Sequence, residues 1–317
     1  MSIVALPFQL GGLLDTICQM NLGTTWCMQH DTREIGIVPP MMFVLCADDF
    51  AMTDGVSRAI LDLLAARRLS ATGAMTNRPG WSGWARELAP HGVHADLGVH
   101  LNLTCASPLG TMPGLCPDGT LPALGTVIRA ALVSARSRRE LSGEIARQLD
   151  AFEQAMGRVP DFIDGHQHVH AMPGVRELVL AEMARRYITQ RPYVRDPADS
   201  MAAIRARGVA VGKALVISGL AAGFGKAARA LGFATNGGFA GVSPFDPARD
   251  FAADMARFLV RPGTRHLVMC HPGFVDDALL ALDPVVGTRP LEHAALMGGC
   301  IPKDAQMVRF SAMNLVS

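Results

Sequence analysis

Short apolar runs alternate with segments of helical period along most of the chain. The runs "MFVLCA" (42–47), "ATGAMTN" (71–77) and "RHLVMCHPG" (265–273) predict strands, the first and the last buried on both faces. The run "PDFIDGH" (160–166) predicts another strand. The segment 95–104 alternates strictly, so one face carries leucine and valine and the other carries His100, Asn102 and Thr104.

Helical segments follow these strands. The segment 53–68 has an apolar stripe at helical spacing, and Thr53 or Asp54 is placed to cap its first turn. The segment 138–157 has a longer stripe of the same kind and ends at Gly157, a residue typical of helix ends.

Two more helices are predicted over 173–187 and 246–260. In the second, Asp246 is the expected cap and Pro247 the first helical residue. Repeated strand-then-helix units of this kind predict an α/β fold with a parallel sheet, open or closed into a barrel. The segments 105–138 and 187–245 show no pattern that we can interpret, and we expect substrate choice to reside there.

Composition narrows the class of protein. The chain has 317 residues, of which 50% are hydrophobic and 18% charged, which fits a globular protein and argues against disorder. The formal net charge is +1 without a long basic run, so no nucleic-acid partner is expected. No apolar run reaches the ~20 residues of a transmembrane helix. The seven cysteines form no C-x-x-C pair, which favours free thiols and a cytoplasmic location.

The first forty residues differ from the rest. They lack a basic start and a sustained apolar core, so they make a poor signal peptide. Because "MMFVLCADDF" begins the first recognisable element, we predict that residues 1–40 are an extension and that 41–317 form a single domain. The alternative is an N-terminal arm that packs on a partner subunit, and a homo-oligomer stays open.

Carboxylates and imidazoles recur at the predicted strand ends. The carboxyl ends of parallel strands share one edge, where such folds build their sites. Asp48 and Asp49 are adjacent and would face opposite ways on a regular strand, so they can serve one site only where the chain begins to turn. The residues concerned are Asp48, Asp49, His100, Asp164, His166 and His271.

Two imidazoles and one carboxylate are a usual ligand set for a hydrolytic divalent metal, and a second aspartate could take a proton from water. Each part also has a purely structural interpretation. The aspartate pair could favour the N-terminus of the following helix. His100 could be a satisfied histidine on an edge strand, and "HQHVH" (166–170) a surface tract.

The ordered motifs "ADDF", "GVHLNLT", "DGHQHVH" and "HPG" followed by "VDD" resemble the YdjC-like family of carbohydrate deacetylases. That family includes chitooligosaccharide deacetylases and relatives associated with hopanoid biosynthesis. The resemblance spans roughly 42–300. It implies a (β/α)-barrel-like fold related to the polysaccharide deacetylases, and metal-dependent removal of acetyl groups from amino sugars.

Position by position, the resemblance implies that Asp49, His100 and His166 bind the metal. It implies that Asp48 is the catalytic base and His271 the acid. Two histidines slightly favour zinc, while a carboxylate and open water positions also allow magnesium or manganese. Where the family usually has glycine after "ADDF", this chain has alanine at position 51, which disfavours a positive φ.

Four further residues have open roles. His168 and His170 line the site with His166 if the chain stays extended; if a helix starts at once, His170 falls one turn on and His168 points elsewhere. Asp164 could fix the tautomer of a ligand histidine or be structural. Arg195 could hold a polar substrate group or the base carboxylate, or be a surface arginine.

The expected activity is metal-dependent hydrolysis of an N-acetylated carbohydrate, with His271 held in its charged form by Asp276, Asp277 or Asp48. Two alternatives remain. A hydrolase of another bond, such as a phosphoester, should show a second metal site or a glycine loop for phosphate. A non-catalytic sugar-binding descendant should have lost its base or acid.

Overall fold

The computed structural model describes residues 40–314. The predicted extension 1–40 therefore lies, except for Pro40, outside the described residues. The described chain contains eight strands, and every strand pair is parallel. The strands are β1 (Met41–Phe50), β2 (Ala71–Ala74), β3 (Asp96–Leu101), β4 (Phe162–Gly165), β5 (Tyr193–Val194), β6 (Gly238–Ala240), β7 (His266–Cys270) and β8 (Ala305–Met307).

The strands form one sheet in the order β5-β4-β3-β2-β1-β7-β6, and β8 pairs with the start of β1. A single parallel bridge between Val194 and Thr235 links β5 to the segment that leads into β6. The two ends of the sheet are thus brought together, and the sheet curls into a barrel. The predicted (β/α)-barrel-like fold is confirmed.

Eleven α-helices connect the strands in the described part of the chain. Their bounds are α1 (Asp54–Ala65), α2 (Trp81–Leu88), α3 (Leu124–Val133), α4 (Ala135–Met156), α5 (Arg176–Arg186), α6 (Met201–Arg207), α7 (Val211–Leu220), α8 (Phe224–Ala230), α9 (Phe251–Phe258), α10 (Asp277–Leu282) and α11 (Arg289–Met297). Thr53 rather than Asp54 caps α1, and Gly157 ends α4 with a left-handed φ of 66°.

Burial explains why the strands could be recognised. Residues 43–50 of β1 are all buried, as are all residues of β3. The polar face predicted for β3 therefore points into the protein and not into solvent, because β3 lies between β2 and β4. His100 is only 1% exposed, so its interpretation as a histidine on an edge strand is wrong.

The structure departs from the predicted elements in two segments. The helix expected from Asp246 begins at Phe251, because the Asp246 side chain accepts the Ala248 amide in a turn and Asp250 caps the helix instead. The segment 105–138, which showed no pattern, contains α3 and the start of α4. These helices were not predicted because the segment also contains a Pro- and Gly-rich part without helical period.

The stretch Val211–Ala230 differs from the expectation that no apolar run reaches the length of a transmembrane helix. By length and composition it could cross a membrane, with a mean hydropathy of 1.2. In the structure, Gly223 adopts a left-handed φ of 83° and separates α7, of 10 residues, from α8, of 7 residues. Each helix alone is shorter than the ~20 residues that span a bilayer.

Candidate metal and catalytic site

The end of β1 carries the two adjacent aspartates on a distorted backbone. The pairing of β1 with β2 shifts register between Ala47 and Phe50, and Asp49 has a left-handed φ of 69°. Such a bulge turns neighbouring side chains away from strict alternation. Asp48 and Asp49 can therefore both face the site, as the sequence required.

Three side chains from different strands meet beside this bulge. Asp49, His100 and His166 each offer a ligand atom, and these atoms lie within 4.8 Å of one another. Asp49 Oδ1 is 3.0 Å from His166 Nδ1 and 3.4 Å from His100 Nε2. Two imidazoles and one carboxylate form a donor set that suits a divalent cation and leaves positions for water and substrate.

Asp164 orients one of these rings. Its Oδ1 lies 2.7 Å from His100 Nδ1, which places the proton on that nitrogen and leaves Nε2 to face Asp49. Burial lowers the pKa of His100, but Asp164 and Asp48 outweigh burial and raise the pKa to about 10. The negative potential behind this shift would also attract a cation. The three donors fit a divalent ion for this reason as well as by their chemistry.

Asp48 is paired with Arg195. The guanidinium lies 2.7 Å from Asp48 Oδ2 and 2.5 Å from Oδ1, and Arg195 is completely buried. Burial alone would raise the pKa of Asp48, but Arg195 and His100 hold that pKa well below its usual range. Asp48 is thus ionised at every physiological pH. Arg195 holds the predicted base carboxylate and is not a surface arginine.

A second group of potential ligands surrounds the same arginine. Cys46, Asp48 and Asp164 also offer atoms within 4.8 Å of one another. Arg195 Nη2 lies 3.0 Å from Cys46 Sγ and 2.5 Å from Asp164 Oδ2. The guanidinium already supplies the positive charge at this position, so the group is an ion-pair network and not a second metal site.

His271 follows β7 and reaches the opposite side of the site. Its Nε2 lies 3.9 Å from Asp48 Oδ2. Burial lowers the pKa of His271 to about 4, although Asp48 and Asp49 oppose the change. The expectation of a charged His271 is therefore wrong for the resting state. The Asp276 carboxylate accepts the amides of Gly55 and Leu279.

The two remaining histidines of the cluster have separate positions. The chain turns into a 3-10 helix directly at His166, but Gln167 and His168 adopt left-handed φ values of 53° and 58°. This geometry keeps His168 on the wall of the site, unlike either expected arrangement. His170 is buried, and its Nε2 donates a hydrogen bond to the Arg195 carbonyl at 2.8 Å. His170 therefore supports the arginine that holds Asp48.

Sequence reasoning missed three residues around the site. Arg289 is completely buried, and its Nη2 lies 2.7 Å from Asp49 Oδ2 and 3.0 Å from Asp283 Oδ2. Glu292 accepts the backbone amide of His271 at 2.6 Å. Arg289 is 240 positions away from Asp49, and no local pattern marks it.

One cavity of about 700 Å³ lies at the carboxyl ends of the strands, and its lining includes Asp48, Asp49, His100, His166, His168, His271, Asp283 and Arg289. Its volume lies in the range usual for small-molecule sites. Polar groups form its base. The outer wall comes from α7, from the start of α3 and from the residues that follow α10.

Fold and site together define a barrel-like α/β protein with a His-His-Asp cluster suited to a divalent cation. The chain belongs to the YdjC-like protein family, whose model matches residues 42–304. This match confirms the family predicted from the four ordered motifs.

Curated relatives share part of the chain. This chain is 35% identical over 149 residues to a carbohydrate deacetylase of Geobacillus stearothermophilus. It is 31% identical over 153 residues to a chitooligosaccharide deacetylase of Enterobacter sp. (strain 638). Each match covers 47% of this chain and 58% of the relative. The chain thus spans less than two thirds of the curated relatives that it matches.

A solved structure shares the fold. A protein of Enterococcus faecalis V583, described as a cellobiose-phosphate cleavage protein, aligns with a TM-score of 0.61 at 19% identity. The alignment covers 86% of this chain and 99% of that one. At this identity the likeness supports the barrel-like architecture alone.

Proposed function

We propose that the protein is a metal-dependent carbohydrate deacetylase that removes the N-acetyl group from an amino sugar or a short oligosaccharide. The observation that carries this proposal is the convergence of Asp49, His100 and His166 beside Asp48 and His271 at one end of the barrel. Membership of the YdjC-like family and the names of the two curated relatives support it.

The metal would be held by Asp49, His100 and His166. A bound divalent cation would polarise the acetyl carbonyl and lower the pKa of a water molecule. Imidazole ligands favour zinc slightly, and the carboxylate also accommodates magnesium. Arg289 fixes the second oxygen of Asp49 and thereby leaves Oδ1 directed at the two imidazoles.

Asp48 accepts the proton of the attacking water. It stays ionised because Arg195 pairs with both of its oxygens, and a carboxylate beside the cation is a suitable general base. The resting His271 ring is neutral and lies near Asp48, so it can receive that proton and deliver it to the amine nitrogen as the C–N bond breaks. Water then supplies both the hydroxyl of the acid and the proton on the amine.

Acetate release from N-acetylglucosamine and its β-1,4-linked dimer, measured before and after chelation, tests the proposal. We expect release that stops with chelator and returns when zinc or magnesium is restored. p-Nitrophenyl phosphate serves as the parallel substrate for phosphoester hydrolysis. Phosphate release without acetate release would favour the phosphoesterase, and release of neither product by metal-loaded protein would favour a sugar-binding protein.

A second metal would be needed for the usual phosphoesterase arrangement. The described residues offer such a position only at Cys46, Asp48 and Asp164, where Arg195 already lies. This observation supports the deacetylase over the phosphoesterase.

We also propose a cytoplasmic location, which the five free cysteines among the described residues support.

A further inference from the structure

Helix α7 is unusual for a surface helix. Its sequence, VGKALVISGL, is mostly apolar, yet none of its residues is buried. Val216 is 62% exposed and Leu220 is 39% exposed. The stretch Val211–Ala230 has the hydropathy of a membrane segment, but only 22% of its most apolar window lies buried inside the protein. An exposed apolar surface of this kind usually marks an interaction site.

The end of α3 presents a second exposed apolar surface. Leu132 is 58% exposed and Val133 is 78% exposed. The start of α5 connects this surface to α7. A Cβ atom at Gly174 would lie 3.1 Å from the Leu132 backbone nitrogen, and Arg176 Nη1 donates a hydrogen bond at 3.0 Å to the carbonyl of Ala222, just after α7. The ends of α3 and α7 are therefore neighbours on one side of the protein.

The charges around these two helices have one sign. The sequence contains no acidic residue between Asp118 and Glu140, the segment of α3, or between Asp199 and Asp246, the segment of α7 and α8. Both segments carry exposed cations, namely Arg129, Arg136, Arg139, Arg205, Lys213, Lys226 and Arg229. Because the formal net charge of the whole chain is only +1, this side of the protein is locally basic.

Exposed apolar side chains with cations around them match the surface of an anionic phospholipid bilayer. The acyl chains receive the apolar groups, and the lipid phosphates attract the cations. A second copy of the chain suits this surface less well. A symmetric contact would place the same cations opposite one another, and like charges across a contact are unfavourable.

We infer that the protein adsorbs to an anionic bilayer through α7 and the end of α3, without crossing it. Both helices are too short to span a bilayer, and they lie in the plane of its surface. Val216, Leu220 and Leu132 enter the boundary between headgroups and acyl chains. The neighbouring cations contact lipid phosphates. This adsorption is independent of the proposed deacetylase function.

Co-sedimentation of the full chain with vesicles tests the assignment. Vesicles of phosphatidylcholine alone are compared with vesicles that also contain about 30% phosphatidylglycerol, and we expect binding mainly to the anionic ones. Raising NaCl from ~0.1 M to ~0.5 M should weaken this binding severalfold, because salt screens the attraction.

Variants locate the surface that binds. Val216→Asp and Leu132→Asp should each lower the partition coefficient by about tenfold or more, because each removes an apolar group and adds a charge that anionic lipid repels. Val93→Asp is the matched control, because Val93 is 79% exposed and precedes β3 at the amino ends of the strands. Lys226→Glu should weaken binding to the anionic vesicles and leave the apolar side chains intact.

Melting temperatures equal to that of the wild type show that the variants are folded. Wild-type protein that sediments with neither vesicle would overturn the bilayer assignment, as would equal binding by Val216→Asp and Val93→Asp. Loss of binding in Val216→Asp but not in Leu132→Asp would show that the two helices do not form one surface. If vesicles do not bind and Val216→Asp lowers the sedimentation coefficient of the free protein, the surface is a contact between copies of the chain and the inference is wrong.

Discussion

Asp48 and Asp49 are neighbours in sequence whose carboxylates have different partners. Asp48 is paired with Arg195, and Asp49 contacts two imidazoles and Arg289. The left-handed backbone at Asp49 makes this division possible, since a regular strand would point the two side chains to opposite faces. The adjacent Ala51 also has a positive φ of 68°, the conformation that alanine disfavours at this turn.

The role of Asp49, His100 and His166 predicts metal loss from a single variant. His166→Ala should lower the metal content of the purified protein, because two of the three donors cannot replace the third. Elemental analysis measures the content, with His91→Ala as the control because His91 lies before β3, away from the cluster. Equal metal in wild type and His166→Ala would contradict the ligand assignment.

The role of Asp48 predicts loss of turnover without loss of metal. Asp48→Asn keeps the shape but removes the proton acceptor, so turnover should fall roughly 100-fold or more. Elemental analysis should find the metal unchanged, and the exposed Asp118→Asn should behave like wild type. Near-normal turnover in Asp48→Asn would show that another group is the base.

The neutral resting state of His271 predicts the pH profile. Because burial lowers its pKa to about 4, the ring is neutral at neutral pH and becomes charged as the pH falls toward 4. We expect kcat/KM at saturating metal to fall on the acid side and to show no alkaline limb that depends on His271. An alkaline limb that disappears in His271→Gln would instead mean that the protonated ring is the reactive form.

Helix α11 carries two side chains that support the site from behind. Arg289 is its first residue, and Glu292 is one turn further on and accepts the amide of His271. Burial raises the pKa of Glu292 to about 7, although the His271 amide and Arg289 oppose the change. The folded protein therefore binds a proton that the unfolded chain releases at lower pH.

The raised pKa of Glu292 predicts how the free energy of unfolding depends on pH. Between the ordinary glutamate pKa and about 7 the folded state binds more protons, so the free energy of unfolding falls as the pH rises. Glu292→Gln keeps an oxygen for the His271 amide and cannot ionise. At pH ~8 the variant should be more stable than wild type by about 2–3 kcal/mol, and at pH ~5 the two should be similar. Urea denaturation at both pH values tests this, and equal stabilities at pH ~8 would contradict it.

Elements with strong patterns could be predicted from sequence, and weak ones could not. The buried apolar runs of β1, β3 and β7 predicted the sheet. The polar residues at or near the carboxyl ends of these strands were the candidate site residues. β5 has only 2 residues and β6 only 3, too few for any period to appear. Arg289 was missed because its contact with Asp49 depends on how the barrel closes and not on a local motif.

At the scale of the whole molecule, β1 is the centre of the sheet. It pairs with β2, β7 and β8, and its first residue pairs with Ala305. A protein that starts at Met41 keeps this pairing and should fold with the metal content and melting temperature of the full chain. Insolubility or a large drop in melting temperature would show that residues 1–40 belong to the fold. A protein that starts at Met42 lacks the pairing of Met41 with Ala305, so its melting temperature measures what that pairing contributes to stability.

Arg195 makes part of the site independent of the metal supply of the cell. Its guanidinium pairs with both Asp48 and Asp164, and this positive charge is permanent, since arginine neither exchanges with the medium nor loses its proton. Removal of metal would thus affect only the proposed ligand cluster of Asp49, His100 and His166. We therefore expect the metal-free protein to stay folded and to regain the proposed activity when a divalent ion is restored.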